Sequence, residues 1–212
     1  MFRFILAVVL FVLSAPLHAA TGRPILVFGD SLSAAYGIAP DQGWVHLLGA
    51  RLAAQGDARP VVNASISGET TAGGLARLPG LLAEHRPALV MVELGANDGL
   101  RGLPIAEIRI NLTRILQAIH AADARPMLLG IELPLNYGAR YRDGLRTMYR
   151  DLAAEFNAPL VPFLLDGVAL DPELMQPDGL HPRAAGQPKI LDNVWPVLEP
   201  ELARLVREKA KA

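Results

Sequence analysis

The chain contains no cysteine in its 212 residues. That excludes a disulfide framework, a thiolate nucleophile, zinc held by thiolates and a thiol-linked lipid, so the fold must be held by its apolar core. An excess of charge of one sign is also missing. Lys and Arg number 20 against 21 Asp and Glu, and so balanced a surface has no general attraction for nucleic acid or an anionic membrane. Long apolar runs are absent too: the longest, Phe4 to Leu13, is ten residues, half the ~20 a bilayer-spanning helix needs, so stable membrane insertion is not expected. Neither a Walker pattern nor G-x-G-x-x-G follows the first apolar strand, and no His-Glu-x-x-His stretch occurs. No cofactor and no metal are expected.

What is present begins at the N-terminus. Met1-Phe2-Arg3, the apolar run and then Ser14-Ala15-Pro16-Leu17-His18-Ala19-Ala20 make the charged, apolar and small-residue parts of a secretory signal peptide. Residues 1–20 read as that signal, cleaved near Ala19 or Ala20. The product is exported to the periplasm or beyond. Residues 21–212 suit a single domain, long enough to bury roughly 70% of the surface the unfolded chain exposes.

Within that domain, strand-like apolar runs recur at Ile25–Phe28, Val61–Asn63, Leu89–Leu94, Met127–Ile131 and Leu160–Phe163, each followed by a turn and a helical pattern. The alternation predicts parallel βαβ units, an α/β fold with a parallel five-stranded sheet in a three-layer α/β/α sandwich. Ile105, Ile108, Leu112, Ile115, Leu116 and Ile119 mark one helical stripe. Tyr141, Leu145, Met148, Tyr149, Leu152 and Phe156 mark another. The charged stretch from Glu201 to Ala212 reads as a final helix fraying into solvent.

In such a sheet the turns after the strands share one edge, where ligand crevices open. The unusual residues collect in those turns. Gly29-Asp30-Ser31-Leu32-Ser33 follows the first strand and presents Ser31 as a candidate nucleophile, although Gly, Asp and Ser are also ordinary turn residues. A serine hydroxyl needs a base, and the base needs a group that holds its tautomer. Asp178-Gly179-Leu180-His181-Pro182 offers both, with the alternative that Asp178 and His181 form a metal pair or a loop cap. Gly68 and Asn97 lie in the second and third turns. Each also has a bland reading, a tight turn at Gly68 and an Asx-turn at Asn97. Asp98 reads as a brace for its loop, and His46, His85 and His120 as surface residues.

The blocks around Ser31, Gly68, Asn97 and His181 together resemble the SGNH, or GDSL, family of serine hydrolases, whose name spells those four residues. The resemblance covers residues 24–205 and extends through Leu133-Pro134-Leu135-Asn136-Tyr137-Gly138, Leu160-Val161-Pro162-Phe163 and Met175-Gln176-Pro177. It looks closest to the exported bacterial thioesterase, arylesterase and lysophospholipase group. It implies a flavodoxin-like strand order, a Ser31–His181–Asp178 triad, and an oxyanion hole made by the backbone N–H groups of Ser31 and Gly68 and the Asn97 amide. No G-x-S-x-G surrounds Ser31, which argues against the α/β-hydrolase elbow.

The expected substrates are small acyl esters, thioesters or lysophospholipids, taken by a monomer through an acyl-serine intermediate. Leu100, Leu103, Pro104, Leu133, Pro134, Leu135 and Tyr137 are expected to wall an acyl crevice. Gly99 and Gly102 leave the first of these segments able to move, and the resemblance implies that it closes on the chain. Two other readings stand beside this one: a carbohydrate O-acetylesterase, and a non-catalytic periplasmic binder of lipid or flavin.

Overall fold

The structure, a computed structural model, describes residues 22–209. The signal-peptide reading of residues 1–20 falls outside them. Five parallel strands, β1 (Ile25–Gly29), β2 (Val61–Asn63), β3 (Leu89–Glu93), β4 (Arg125–Leu129) and β5 (Leu160–Val161), form one sheet in the order β2-β1-β3-β4-β5. This is the flavodoxin-like order. β1 and β3 are buried along their whole length, as a sheet covered on both faces requires.

The helices are α1 (Trp44–Ala54), α2 (Thr71–His85), α3 (Ala96–Leu100), α4 (Ile105–Ala121), α5 (Ala139–Glu155) and α6 (Gln187–Lys209). Strand order reverses after β2, so right-handed crossovers send α1 to one face and α2, α4 and α5 to the other. α6 returns to pack on α1, while α2, α4 and α5 lie side by side. Both helical stripes behave as their spacing predicts. Ile108, Leu112, Ile115, Leu116 and Ile119 of α4, and Leu145, Met148, Tyr149 and Leu152 of α5, are buried in the core.

Several boundaries differ from the expectation: β3 ends at Glu93, one residue before Leu94, and β4 and β5 end at Leu129 and Val161, each two residues before the expected Ile131 and Phe163. β4 starts at Arg125 because its N–H already bonds Ala88 O (2.9 Å), so the strand takes in Pro126, a residue that usually argues against a central strand. The last helix begins at Gln187, well before Glu201, and runs through Pro196 and Pro200. Both prolines face solvent while Leu191, Val194, Leu198 and Leu202 are buried. Burial of that stripe offsets the hydrogen bonds the prolines remove.

The strand order reverses between β1 and β3, each of which has its crossover on a different side. The C-terminal mouth of these two strands is therefore the crevice of the sheet. Ser31 leaves β1 and Asn97 leaves β3, one on each lip.

Candidate active site

Ser31 stands just past β1 in a turn made by its neighbour: the Leu32 N–H bonds Asp30 Oδ1 (3.0 Å). Such an Asx turn lifts the serine out of the strand line. Facing it across 150 residues of chain, His181 Nε2 lies 2.9 Å from Ser31 Oγ. His181 Nδ1 lies 2.7 Å from Asp178 Oδ2. The other oxygen of Asp178 accepts the N–H groups of Leu180 (2.9 Å) and His181 (3.1 Å). Burial works to raise this carboxyl, but the imidazole and those two N–H groups prevail and hold it down at about 2. Asp178 is therefore an anion at neutral pH, Nδ1 carries the ring proton, and Nε2 is free to accept from the serine hydroxyl. That orientation engages both ring nitrogens of His181.

The loop carrying His181 is stapled to the one carrying Ser31. Met175 and Pro182 bridge as a short antiparallel pair, and Gln176 N–H donates to His181 O (2.7 Å). The Gln176 side chain donates both to Pro182 O (3.0 Å) and to Tyr36 O (2.8 Å). Gly37, at φ +74°, lies so close that any Cβ there would collide with Gln176. Tyr36 leans over the imidazole with ring centroids 4.4 Å apart.

On the opposite lip, Gly68 has φ +82° and open space where a side chain would begin, so glycine both permits the turn and leaves its N–H approachable. The Asn97 amide donates to Asp30 Oδ2 (2.9 Å) and to Glu69 O (3.0 Å), tying the first three turns together. Asp98, buried as its bracing role requires, accepts from the N–H (2.9 Å) and hydroxyl of Thr71. Ser31, Gly68, Asn97, Asp178 and His181 are thus drawn to one place. This is the constellation of a nucleophile–base–acid hydrolase with a nearby donor cluster.

The sequence matches the model of the GDSL-like Lipase/Acylhydrolase family over residues 27–188. It is 54% identical over 183 residues to "Esterase TesA" of Pseudomonas aeruginosa, covering 86% of this chain and 91% of that one. It is 45% identical over 191 residues to "Thioesterase 1/protease 1/lysophospholipase L1" of Escherichia coli, covering 90% of each. Among solved structures, a psychrotrophic esterase EstA from Pseudoalteromonas sp., inhibited by monoethylphosphonate, superposes with a TM-score of 0.82 at 41% identity, over 85% of this chain and 99% of that one. The chain belongs to the GDSL-like lipase/acylhydrolase family, and it is an ester hydrolase.

The expected acyl wall is corrected in two respects. Leu133 does not face a crevice: it is 4% exposed and packs against Gly99, where a Cβ would lie 2.8 Å from Leu133 Cδ1. Gly99 is accordingly a buried packing residue of α3, not a hinge. Leu100 and Leu103 are half-buried, Pro134 likewise, and Pro104 and Leu135 are exposed. The Leu100–Pro104 segment is pinned rather than loose: the Tyr137 hydroxyl donates to Leu100 O (2.9 Å) and the Tyr141 hydroxyl to Leu103 O. Beside these tyrosines opens a groove of about 540 Å³ lined by Ile105, Tyr137, Arg140, Tyr141 and Gly144.

Sequence reasoning passed over Asp30 and Glu93. Both side chains are completely buried beneath Ser31. Burial pushes Asp30 up to about 6, against the pull of Leu32 N–H, Glu93, His181 and Asn97. Burial, and then the neighbouring Asp30 charge, raise Glu93 well above the usual carboxylate range.

Proposed function

We propose that this chain hydrolyses acyl esters and thioesters, lysophospholipids among them, through an acyl-serine formed at Ser31. The observation that carries the reading is the unbroken line Ser31 Oγ, His181 Nε2, His181 Nδ1, Asp178 Oδ2 at 2.9 and 2.7 Å. His181 Nε2 takes the hydroxyl proton as Ser31 Oγ attacks the acyl carbon. The imidazolium, steadied by Asp178, passes that proton to the leaving alcohol or thiol as its bond to the acyl carbon breaks. Water then attacks the acyl-serine, giving a proton to His181, and the acid leaves as Oγ takes the proton back.

The oxyanion of each tetrahedral step sits among the N–H groups of Ser31 and Gly68 and the Asn97 amide. In the free enzyme both amide hydrogens of Asn97 are engaged, so the oxyanion draws the one directed at Glu69 O to itself. The half-buried Leu100 and Leu103 and the groove at Ile105, Tyr137 and Tyr141 supply an apolar path for the acyl chain. The names of the relatives, an esterase and a thioesterase/lysophospholipase, support the same substrate classes. The leader pattern of residues 1–20 supports export as a single mature domain, and no helix among the described residues is long and apolar enough to cross a membrane.

The test is hydrolysis of p-nitrophenyl, acyl-thioester and lysophospholipid substrates by the mature protein and by Ser31→Ala. Activity on the first two that vanishes in the variant supports the reading; turnover that survives the substitution overturns it.

A further inference from the structure

The hydrolytic steps leave unused the two carboxyl groups beneath the nucleophile. Asp30 follows β1 directly and Glu93 ends β3, and the register of the two strands sets Gly29 opposite Glu93. Both side chains have no solvent exposure. Glu93 Oε2 accepts from the Asp30 N–H (3.1 Å) and the Ser33 hydroxyl (2.9 Å). Glu93 Oε1 is buried and receives no donor. Each Asp30 oxygen already accepts one hydrogen bond, Oδ1 from Leu32 N–H and Oδ2 from the Asn97 amide, and each keeps a lone pair for a further donor. The two carboxyls act on each other as neighbours, and among the described residues no Lys or Arg hydrogen-bonds either of them.

Two adjacent carboxylates in a dry, cation-free site would repel strongly, and a buried anionic oxygen without a donor carries a desolvation cost of its own. A single proton removes both problems. We propose that Glu93 is a neutral acid whose Oε1–H donates to the Asp30 carboxylate, and that this shared proton makes Asp30 the positioning residue for Asn97. The proposal rests on the acyl-serine reading for what Asn97 does, but not for where the proton sits.

With one proton the pair carries a single negative charge. That charge holds the Asn97 amide toward the reaction centre, and it also favours the imidazolium that His181 becomes. Loss of the proton adds a second charge beneath the place where the oxyanion forms, which opposes the transition state and drives the two carboxylates apart. The local sequence fits this arrangement. A Cβ at residue 29 would lie 2.6 Å from Glu93 Oε2 and 3.0 Å from Ser33 Oγ, so the glycine before Asp30 is room for the glutamic acid. Ser33 is its second donor. The titratable groups that face the pair are His181 from the last turn and the Tyr149 hydroxyl from α5. Tyr149 donates to Leu94 O (2.6 Å) and is itself raised by burial and then by Glu93, Asp30 and Asp98.

The experiment is a carboxyl ¹³C NMR titration of the mature enzyme, with Glu93→Gln to identify the resonance and kcat measured over the same pH range. The expected result is one glutamic acid that stays protonated through neutral pH, whose signal is missing from the variant. In the wild type, kcat falls as that acid titrates on the alkaline side, while KM stays level. Glutamine mimics the protonated acid, so Glu93→Gln should lose this alkaline fall, whereas a merely structural role would lower stability and leave the profile in place. A Glu93 carboxyl already ionised at neutral pH overturns the proposal. An alkaline fall of kcat that persists in the variant overturns the positioning role. If the variant does not fold, the wild-type titration decides alone, because only one glutamate among the described residues is fully buried. Failure of Ser31 to act as nucleophile would leave the NMR result untouched, so the two readings fail separately.

Discussion

Asp178 and Asp30 are the same residue type, within one step of the same serine–histidine pair, and they sit in opposite regimes. Asp178 is on an exposed loop, its carboxylate fed by two backbone N–H groups and the imidazole, and it is held down at about 2. Asp30 is sealed under the sheet edge beside a second acid, and it is pushed up to about 6. Donors decide the first case and dryness the second. In the proposed mechanism the first is the fixed anion that orients the base, and the second is the buried pair whose charge is limited to one.

The largest expected effect lies at the group both acids serve. Ser31→Ala should lower kcat by roughly 10⁶, by analogy with serine-protease variants, with the fold retained by circular dichroism. Asp178→Asn should cost roughly 10⁴, because an amide no longer selects the imidazole tautomer that accepts the serine proton. A loss of tenfold or less would mean that the exposed acid merely caps its loop. Asn97→Ala, which severs the link between Asp30 and the reaction centre, should cost roughly 10² to 10³ in kcat with a smaller change in KM. Wild-type turnover in that variant would reduce the amide to a structural tie.

Chain-length dependence is a smaller effect. Each methylene buried in the groove contributes about 0.8 kcal/mol, or roughly fourfold in kcat/KM, until the groove is full. Ile105→Trp, which fills it, should level the rise at shorter chains and weaken long-chain esters far more than acetate esters. An equal drop at every length would show that the groove is not the acyl path.

The smallest effect is on stability, and the two acids should act with opposite sign. Asp30 and Glu93 have raised folded-state values, so they favour the folded state below the ordinary 3.8 of Asp30, and that contribution is lost as pH rises through about 6 and above. Asp178 is depressed, so its contribution is present above 3.8 and lost as pH falls toward about 2. Urea unfolding across pH should show Glu93→Gln flattening the alkaline-going decline and Asp178→Asn flattening the acid one. Parallel curves for all three proteins would erase the contrast.

The sequence displayed the exposed half of this contrast far better than the buried half. Ser31, Gly68, Asn97, Asp178 and His181 lie in turns after apolar strands, and turn position in a parallel sheet already implies a common edge. Asp30 and Glu93 carry no such mark. Asp30 reads as a turn former, and Glu93 lies inside the apolar run Leu89–Leu94 with nothing local to single it out. Their meeting depends on the register between β1 and β3, which no local pattern encodes. Leu133 turns inward for a related reason, since the direction of a side chain in an irregular turn is set by what packs below it, here Gly99. The early start of α6 was hidden by Pro196 and Pro200, whose exposed placement is a tertiary fact.

The central claim, that Ser31 is the atom-donating nucleophile of this site, is tested most directly by reacting the mature enzyme with an alkyl fluorophosphonate and mapping the adduct by peptide mass spectrometry. The account predicts one phosphonyl group, on Ser31, formed in parallel with loss of esterase activity and much more slowly in His181→Ala. A stoichiometric adduct on any other residue, or full inactivation with Ser31 unmodified, would contradict it.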